Sequence, residues 1–312
     1  MAQTNGHDRP QPPSTGAARL RELMAGGKIV VCPGVYDGFS ARIMIEAGVD
    51  AMYMTGAGTS ISRLGMADLG LATMNEMATN AAMIAGLDPV VPLIADADTG
   101  YGGPLSVRRT VQEYIKAGVA GLHLEDQVQT KRCGHLGSKE LVDEEVYISR
   151  IRAAVLARAA IPNGDIVIIA RTDALQGLGY DAAVSRLKKA LAAGADVAFL
   201  EAPTKIEQMR AVCQDLAPAP VLLNMVTGSI TPNISVDEAQ EVGYRIIIYP
   251  ALALGPAYEA ISAAANELKG TGTVKLGKVM VGGPKKLFET CGLNELIAFD
   301  LASGGSAYKN GV

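Results

Sequence analysis

The stretch KAGVAGLHLE at 116–125 runs from a helical tail through a glycine into an apolar burst and ends on an acid. The same run of helical tail, glycine and apolar burst returns as EAGVDAMYM (46–54), AAGADVAFLE (192–201) and EVGYRIIIY (241–249), of which only the second also ends on an acid. Gly48, Gly118, Gly194 and Gly243 stand where a helix closes on a left-handed residue, a conformation that glycine takes without a Cβ penalty. The bursts that follow are short and mostly apolar, as expected of parallel strands buried on both faces. IVVC (29–32), PVVPLIAD (89–96), DIVIIAR (165–171) and PVLLN (220–224) bring the predicted strands to eight.

Helix starts are readable between them. Pro104 suits a first helical position, with Val107, Val111, Tyr114 and Ile115 following at helical spacing. Asp181 is the predicted cap of a helix whose buried stripe is Val184, Leu187 and Leu191. Ser235 and Glu238 make a capping-box pattern. Strands and helices alternating without a linker predict a (β/α)8 TIM barrel over 17–270, the alternative being a doubly wound open sheet. Residues 1–16, rich in Pro, Gly, Gln and Ser, read as a flexible tail. Residues 271–312 read as an extension, helical around PKKLFETCGLNELIAFD, that packs on the barrel or on a neighbouring subunit.

Composition narrows the partners. The 312 residues carry a net charge of -4, 4% aromatics and no Trp, which gives no support to a nucleic-acid surface. Mean hydropathy is +0.20, yet no apolar run approaches the roughly 18 residues of a membrane span. Cys32, Cys133, Cys213 and Cys291 are far apart, a spacing that fits a reducing, cytoplasmic setting better than a disulfide framework. Cys32, Cys213 and Cys291 read as structural.

In such a barrel the chemistry gathers at the C-terminal ends of the strands. Those ends read Tyr53–Gly58, Asp96 and Asp98, His123–Asp126, Arg171–Asp173, Glu201, Asn224 and Tyr249–Pro250. Asp96 and Asp98, two apart, are expected on one strand face, where two carboxylates call for a cation. With Glu125 they form an all-oxygen set, with no His or Cys expected nearby, that suits Mg²⁺ or Mn²⁺ better than Zn²⁺. In QTKRCGHLGSKELV (129–142), Cys133 has Lys131, Arg132 and His135 within two residues, neighbours that favour a thiolate. Gly134 and Gly137 give that loop the freedom of a lid. Gly56-Ala57-Gly58 opens a dinucleotide fingerprint, but Ile61 stands in place of its third glycine. No phosphate loop or serine-hydrolase elbow is present either.

At KRCGHLGSKELV the chain resembles the isocitrate lyase/phosphoenolpyruvate mutase superfamily. The likeness spans roughly residues 20–300 and takes in YMTGAG, DADTGYG, ED, ARTDA, LEAP and LLN in the family order. The K-[KR]-C-G-H loop is a mark of the lyase branch. The resemblance implies a barrel whose last helix is exchanged between subunits, in a homotetramer built as a dimer of such dimers. It further implies that Asp96 binds Mg²⁺ directly, with Asp98 and Glu125 holding the ion's waters. Tyr53, Thr55, Gly56, Ala57, Gly134, Arg171, Glu201, Asn224 and Pro250 would line the pocket for a small dicarboxylate. Arg171 would grip a carboxylate with its bidentate fork, and Asp68 matches an active-site aspartate. Cys133 would be the general acid in a retro-aldol-type cleavage, with Lys131, His135 and Arg171 stabilising the developing charge.

Isocitrate lyases proper carry an SPS-type motif where this chain reads NMVTGSITPNIS, and oxaloacetate hydrolases carry a Ser where it has Pro250. The resemblance therefore implies a lyase acting on an alkylmalate such as 2,3-dimethylmalate, releasing pyruvate and a monocarboxylate. The alternatives are oxaloacetate hydrolysis, 2-methylisocitrate cleavage, a phosphonopyruvate-type C–P enzyme, or a non-catalytic dicarboxylate-binding barrel.

Overall fold

The computed structural model describes residues 15–134, 136–162, 164–275, 277 and 283–309. Its strands are β1 (Val30–Val35), β2 (Met52–Met54), β3 (Leu93–Asp96), β4 (Gly121–Glu125), β5 (Val167–Thr172), β6 (Val197–Leu200), β7 (Val221–Asn224) and β8 (Ile246–Tyr249). They are parallel and close on themselves in chain order, with Cys32 of β1 in register with Ile248 of β8. The barrel is thus closed, and the open-sheet alternative falls.

The predicted glycine caps are in place. Gly48, Gly118, Gly194 and Gly243 have φ of +76°, +78°, +107° and +117°. The residue after each donates its N–H back across the last helical turn, as Val119 does to the Tyr114 carbonyl at 3.0 Å. Each cap turns the chain directly into the next strand, which explains why the phrase recurs in the sequence.

Alternate strand residues pack two different cores. Val30, Cys32, Tyr53, Ile94, Val167, Ile169, Val197, Phe199, Leu222, Ile246 and Ile248 form one apolar cluster filling the barrel interior. Their strand neighbours, such as Met52, Met54, Leu122, Leu124, Ile168 and Ala170, pack against the surrounding helices. Both faces are apolar because both are buried.

Pro104 opens the helix Pro104–Lys116, and Val107, Val111 and Tyr114 are its buried stripe. Ser235 and Glu238 form the predicted capping box. Asp181 is not a cap. The helix Tyr180–Ala192 starts from Gly179, whose φ of +84° swings the chain in, and Asp181 lies in its first turn. There its charge complements the positive end of the helix dipole. Of its predicted stripe, Val184 and Leu187 are buried and Leu191 only partly so.

Most of the predicted tail lies outside the described residues. Thr15, within the tail's predicted bounds, caps the helix Gly16–Ala25 and donates to Asp165 Oδ2 at 3.0 Å. Beyond β8 come the helices Leu254–Thr271, Lys285–Thr290 and Leu293–Ala302. Gly292, at φ +90°, breaks the predicted single helical piece in two. Lys286 and Thr290 both bond Glu46, at the end of the helix Gly38–Glu46. Cys32 is buried, Cys213 is partly buried with its thiol pushed up to about 12 by burial, and Cys291 is exposed rather than structural. Among the described residues, no helix is long and apolar enough to cross a membrane.

Candidate active site

The inward parity that fills the barrel with Ile94, Ile169 and Phe199 places Asp96, Arg171 and Glu201 one step further along the same strands. His123 and Glu125 of β4 and Asn224 of β7 follow the same alternation. Pairing holds Asp96 beside His123 and Glu125 beside Arg171. A ring of polar groups therefore stands on an apolar floor, where charges interact strongly.

Arg171 is its centre. Nε and Nη2 donate to the Asp173 carboxylate at 2.9 and 3.1 Å, and Nη1 lies 3.2 Å from Glu125 Oε2. Its side chain also stacks on Phe199, 5.3 Å from the ring centre. Burial alone would lower the guanidinium pKa, but Asp173, Glu125 and Glu201 outweigh it and hold the group charged. The Nε–Nη2 edge is occupied by Asp173, so the fork expected for a ligand reduces to the remaining Nη edge. Asp173 is itself steadied by Asp126, whose Oδ1 accepts the Asp173 N–H at 2.8 Å. Asn224 donates to both oxygens of Glu201 at 3.2 Å.

The carboxylates expected to serve a metal share this end of the barrel, by a different route from the one predicted. β3 ends at Asp96, and Asp98 sits in the following turn with φ +47°, donating its N–H to Asp96 Oδ1 at 2.8 Å. A turn, not strand alternation, brings the two together. His123 is also nearby, against expectation, its Nε2 3.6 Å from Asp96 Oδ1 and 2.9 Å from the Tyr53 hydroxyl. Burial, with the charge of Arg171, pushes that imidazole down to about 3, so it is neutral.

The set fits a cation. Glu125 is fully buried and neither of its oxygens has a hydrogen-bond donor in proper geometry. Burial pushes its carboxyl well above the usual range, against the pull of Arg171. A Cβ on Gly56 would lie 2.4 Å from Asp96 Oδ2, so glycine there keeps that oxygen accessible. Among the described residues no three His, Cys, Asp or Glu side chains converge to hold an ion directly. Asp96 as the one direct ligand, with the others acting through water, is the arrangement compatible with that spacing.

Lys131 is buried among carboxylates. Its ammonium is 2.7 Å from Asp68 Oδ1 and is also paired with Asp98. Burial would lower its pKa, but Asp98, Glu125, Asp96 and Asp68 together raise it well above the ordinary value. Its charge is committed to carboxylates rather than to the thiol two residues on. Arg132 is exposed and donates to the Gly137 carbonyl at 3.3 Å. In an extended loop successive side chains diverge, so Lys131 and Arg132 meet different partners. His135 lies outside the described residues.

Cys133 and Gly134 close one side of a cavity of about 170 Å³, together with Tyr53, Thr55, Ala57, Asp68, Asp96, Arg171, Glu201, Asn224 and Pro250. Gly56, Asp98, Glu125 and Lys131 back onto its residues without lining it. Val226, Ala251 and Leu254 also line it and escaped the sequence reading, since nothing separates them from core residues by type. Two loop anchors escaped too. The Gln127 amide accepts from Arg132 N at 3.0 Å and donates to Arg132 O at 2.9 Å, and Lys139 Nζ bonds Asp173 Oδ1 at 3.0 Å.

The chain matches the family model of phosphoenolpyruvate phosphomutase over residues 20–269. It is 44% identical over 245 residues to 2,3-dimethylmalate lyase of Eubacterium barkeri, covering 78% of this chain and 83% of that one. A crystal structure of a 2,3-dimethylmalate lyase, a PEP mutase/isocitrate lyase superfamily member, superposes with a TM-score of 0.93 at 54% identity, covering 96% and 99% of the two chains. Oxaloacetate acetylhydrolase bound to 3,3-difluorooxalacetate superposes with a TM-score of 0.92 at 49% identity, covering 96% and 100%.

Proposed function

We propose that this chain, which belongs to the PEP mutase/isocitrate lyase superfamily, is a carbon–carbon lyase that cleaves a 2-alkylmalate such as 2,3-dimethylmalate into pyruvate and a monocarboxylate. The observation that carries the reading is one cavity that joins the Cys133 thiol to Asp96 and Arg171. Val226, Pro250, Ala251 and Leu254 give the same cavity an apolar wall suited to the alkyl groups of such a substrate.

The chain's own residues then take these parts. The Nη edge of Arg171, which Glu125 shares at Nη1, receives a substrate carboxylate, its other edge being held by Asp173. The N–H groups from Thr55 to Ala57 orient the keto-acid end. The C2 hydroxyl gives up its proton to solvent and becomes the keto oxygen; breaking the C2–C3 bond leaves the electron pair on C3, beside its carboxylate, and Cys133 delivers a proton to that carbon. Mg²⁺ or Mn²⁺, held by Asp96 with Asp98 and Glu125 reaching it through water, would supply the acidity of the C2 hydroxyl. Lys131 acts behind this set, bridging Asp98 to Asp68 on the cavity wall.

The likeness to oxaloacetate acetylhydrolase favours a second reading, hydrolysis of oxaloacetate. Pro250 lines the cavity and has no hydroxyl to offer a hydrated ketone, which ranks this reading second. A panel of substituted malates with Mg²⁺, read by lactate dehydrogenase for pyruvate, tests the lyase reading, and loss of the oxaloacetate enol absorbance tests the other. No pyruvate from any malate in the panel would overturn the lyase reading.

The exposed apolar side chains Tyr258, Ile261 and Phe299 on the C-terminal helices support association of copies into the family's helix-exchanged tetramer. Light scattering at the mass of a monomer would contradict it. The absence of a disulfide among the four cysteines is in keeping with a cytoplasmic setting.

A further inference from the structure

Cys133 stands between two buried anchors. On one side the Gln127 side chain, fully buried, pairs with both backbone groups of Arg132. On the other, Lys139 Nζ donates to the Gly134 carbonyl at 2.6 Å and to Asp173 Oδ1 at 3.0 Å, with its side chain 3% exposed. The neck of the loop is shut by backbone pairing, Val128 N to Glu140 O at 3.0 Å, with Gln127 bridging Leu141.

Asp173 is the shared element. The same carboxylate that fixes the Nε–Nη2 edge of Arg171 receives the ammonium of Lys139. Burial alone would raise its carboxyl, but Arg171 and Lys139 overcome that and hold it below the usual carboxylate range. Gly134 presses on Arg171, the partner of that carboxylate, from the loop side. A Cβ there would lie 2.4 Å from Arg171 Nη2 and 2.3 Å from Glu201 Oε1, so the backbone reaches this contact only because the residue is glycine.

We propose that Lys139 is a positioning residue that holds Gly134, and with it the adjoining Cys133 thiol, against Arg171 through their common carboxylate Asp173. Proton donor and carboxylate-binding cation are thereby assembled as one unit. A single ammonium suits this task, because its donors diverge to a carbonyl and a carboxylate where a planar fork would face one partner. The consequence for turnover rests on the lyase reading, whereas the assembly of the loop on Asp173 does not.

The experiment is site-resolved alkylation of the full chain with iodoacetamide, followed peptide by peptide for all four cysteines. In Lys139→Met the rate at Cys133 should rise by roughly tenfold or more, while Cys32 and Cys213 keep their wild-type rates. Lys139→Gln should move Cys133 in the same direction, and carries the measurement if Lys139→Met does not fold. A Cys133 rate within about twofold of wild type, or a rise shared equally by Cys32 and Cys213, overturns the proposal. In the malate assay, kcat should fall about tenfold with KM little changed, since Asp173 still holds Arg171. A raised KM with unchanged kcat contradicts the proposal. If no malate is turned over, the lyase reading fails while the alkylation ratio still decides the role of Lys139.

Discussion

Arg171 and Asp173 meet edge to edge through two hydrogen bonds, Nε to Oδ2 at 2.9 Å and Nη2 to Oδ1 at 3.1 Å, across the end of β5. The strand ends at Thr172, so the chain turns between them and brings the carboxylate back over the guanidinium. Thr172 assists by donating its hydroxyl to Asp126 Oδ2 at 2.5 Å, so the turn is pinned from β4 as well. The cation of the pocket is oriented before any ligand arrives, and a preset group need not be reorganised during reaction.

Asp173→Asn removes one partner of a buried pair. It should destabilise the fold by about 3–5 kcal/mol, read as a lower midpoint in thermal or denaturant unfolding. Because the Asp173 carboxyl is held low in the folded protein, its contribution is complete above the unfolded value of about 3.9. The stability difference between wild type and Asp173→Asn should therefore be constant from neutral pH down to about pH 4 and shrink below it. A difference that already shrinks between pH 7 and 5 would show that another group carries the effect.

Gly134→Ala places a methyl group into Arg171 and Glu201. The loop must lift to accommodate it, and kcat should drop by roughly tenfold or more with an unfolding midpoint close to wild type. Wild-type kcat would mean that the close approach has no bearing on turnover.

Chelation by EDTA should remove activity, and Mg²⁺ or Mn²⁺ should restore it. Binding can be followed without turnover, by the loss of the free Mn²⁺ signal in electron paramagnetic resonance. Asp96→Asn should weaken that binding by at least about tenfold, because it removes the charge of the one carboxylate proposed as a direct ligand. Equal Mn²⁺ affinity in the variant would remove Asp96 from the metal site.

Cys133→Ser exchanges the thiol for a much weaker acid of similar size. A loss of about 10²–10⁴-fold in kcat is expected, with Mn²⁺ binding intact. Retained turnover would assign the proton to another donor.

Much of this could be read before any coordinates. The helix–Gly–strand phrase works because a glycine cap and a buried strand are both local demands, met within about ten residues of chain. The strand-end groups were legible for the same reason. Asp96, Glu125, Arg171 and Glu201 follow apolar strand residues at fixed parity, and parity alone turns them inward. What stayed hidden depends on where loops return. Lys131 is a sequence neighbour of Cys133, but the fold pairs it with Asp68 and Asp98, both of them distant in sequence. Lys139 and Gln127 carry no local pattern, since their partners meet them only once the 127–141 loop has closed. Asp181 lies two residues past the true cap because Gly179 supplies a backbone bend that no capping side chain signals.

The most direct test of the account is proton NMR of the wild-type enzyme with 2,3-dimethylmalate and Mg²⁺ in D₂O. Cleavage of the C2–C3 bond with proton delivery from an exchanged Cys133 thiol predicts equimolar pyruvate and propionate, the propionate carrying a single deuterium at C2. Cys133→Ser should leave the substrate signals unchanged over the same period. Intact dimethylmalate with the wild-type enzyme, or release of products without deuterium at C2, would contradict the account.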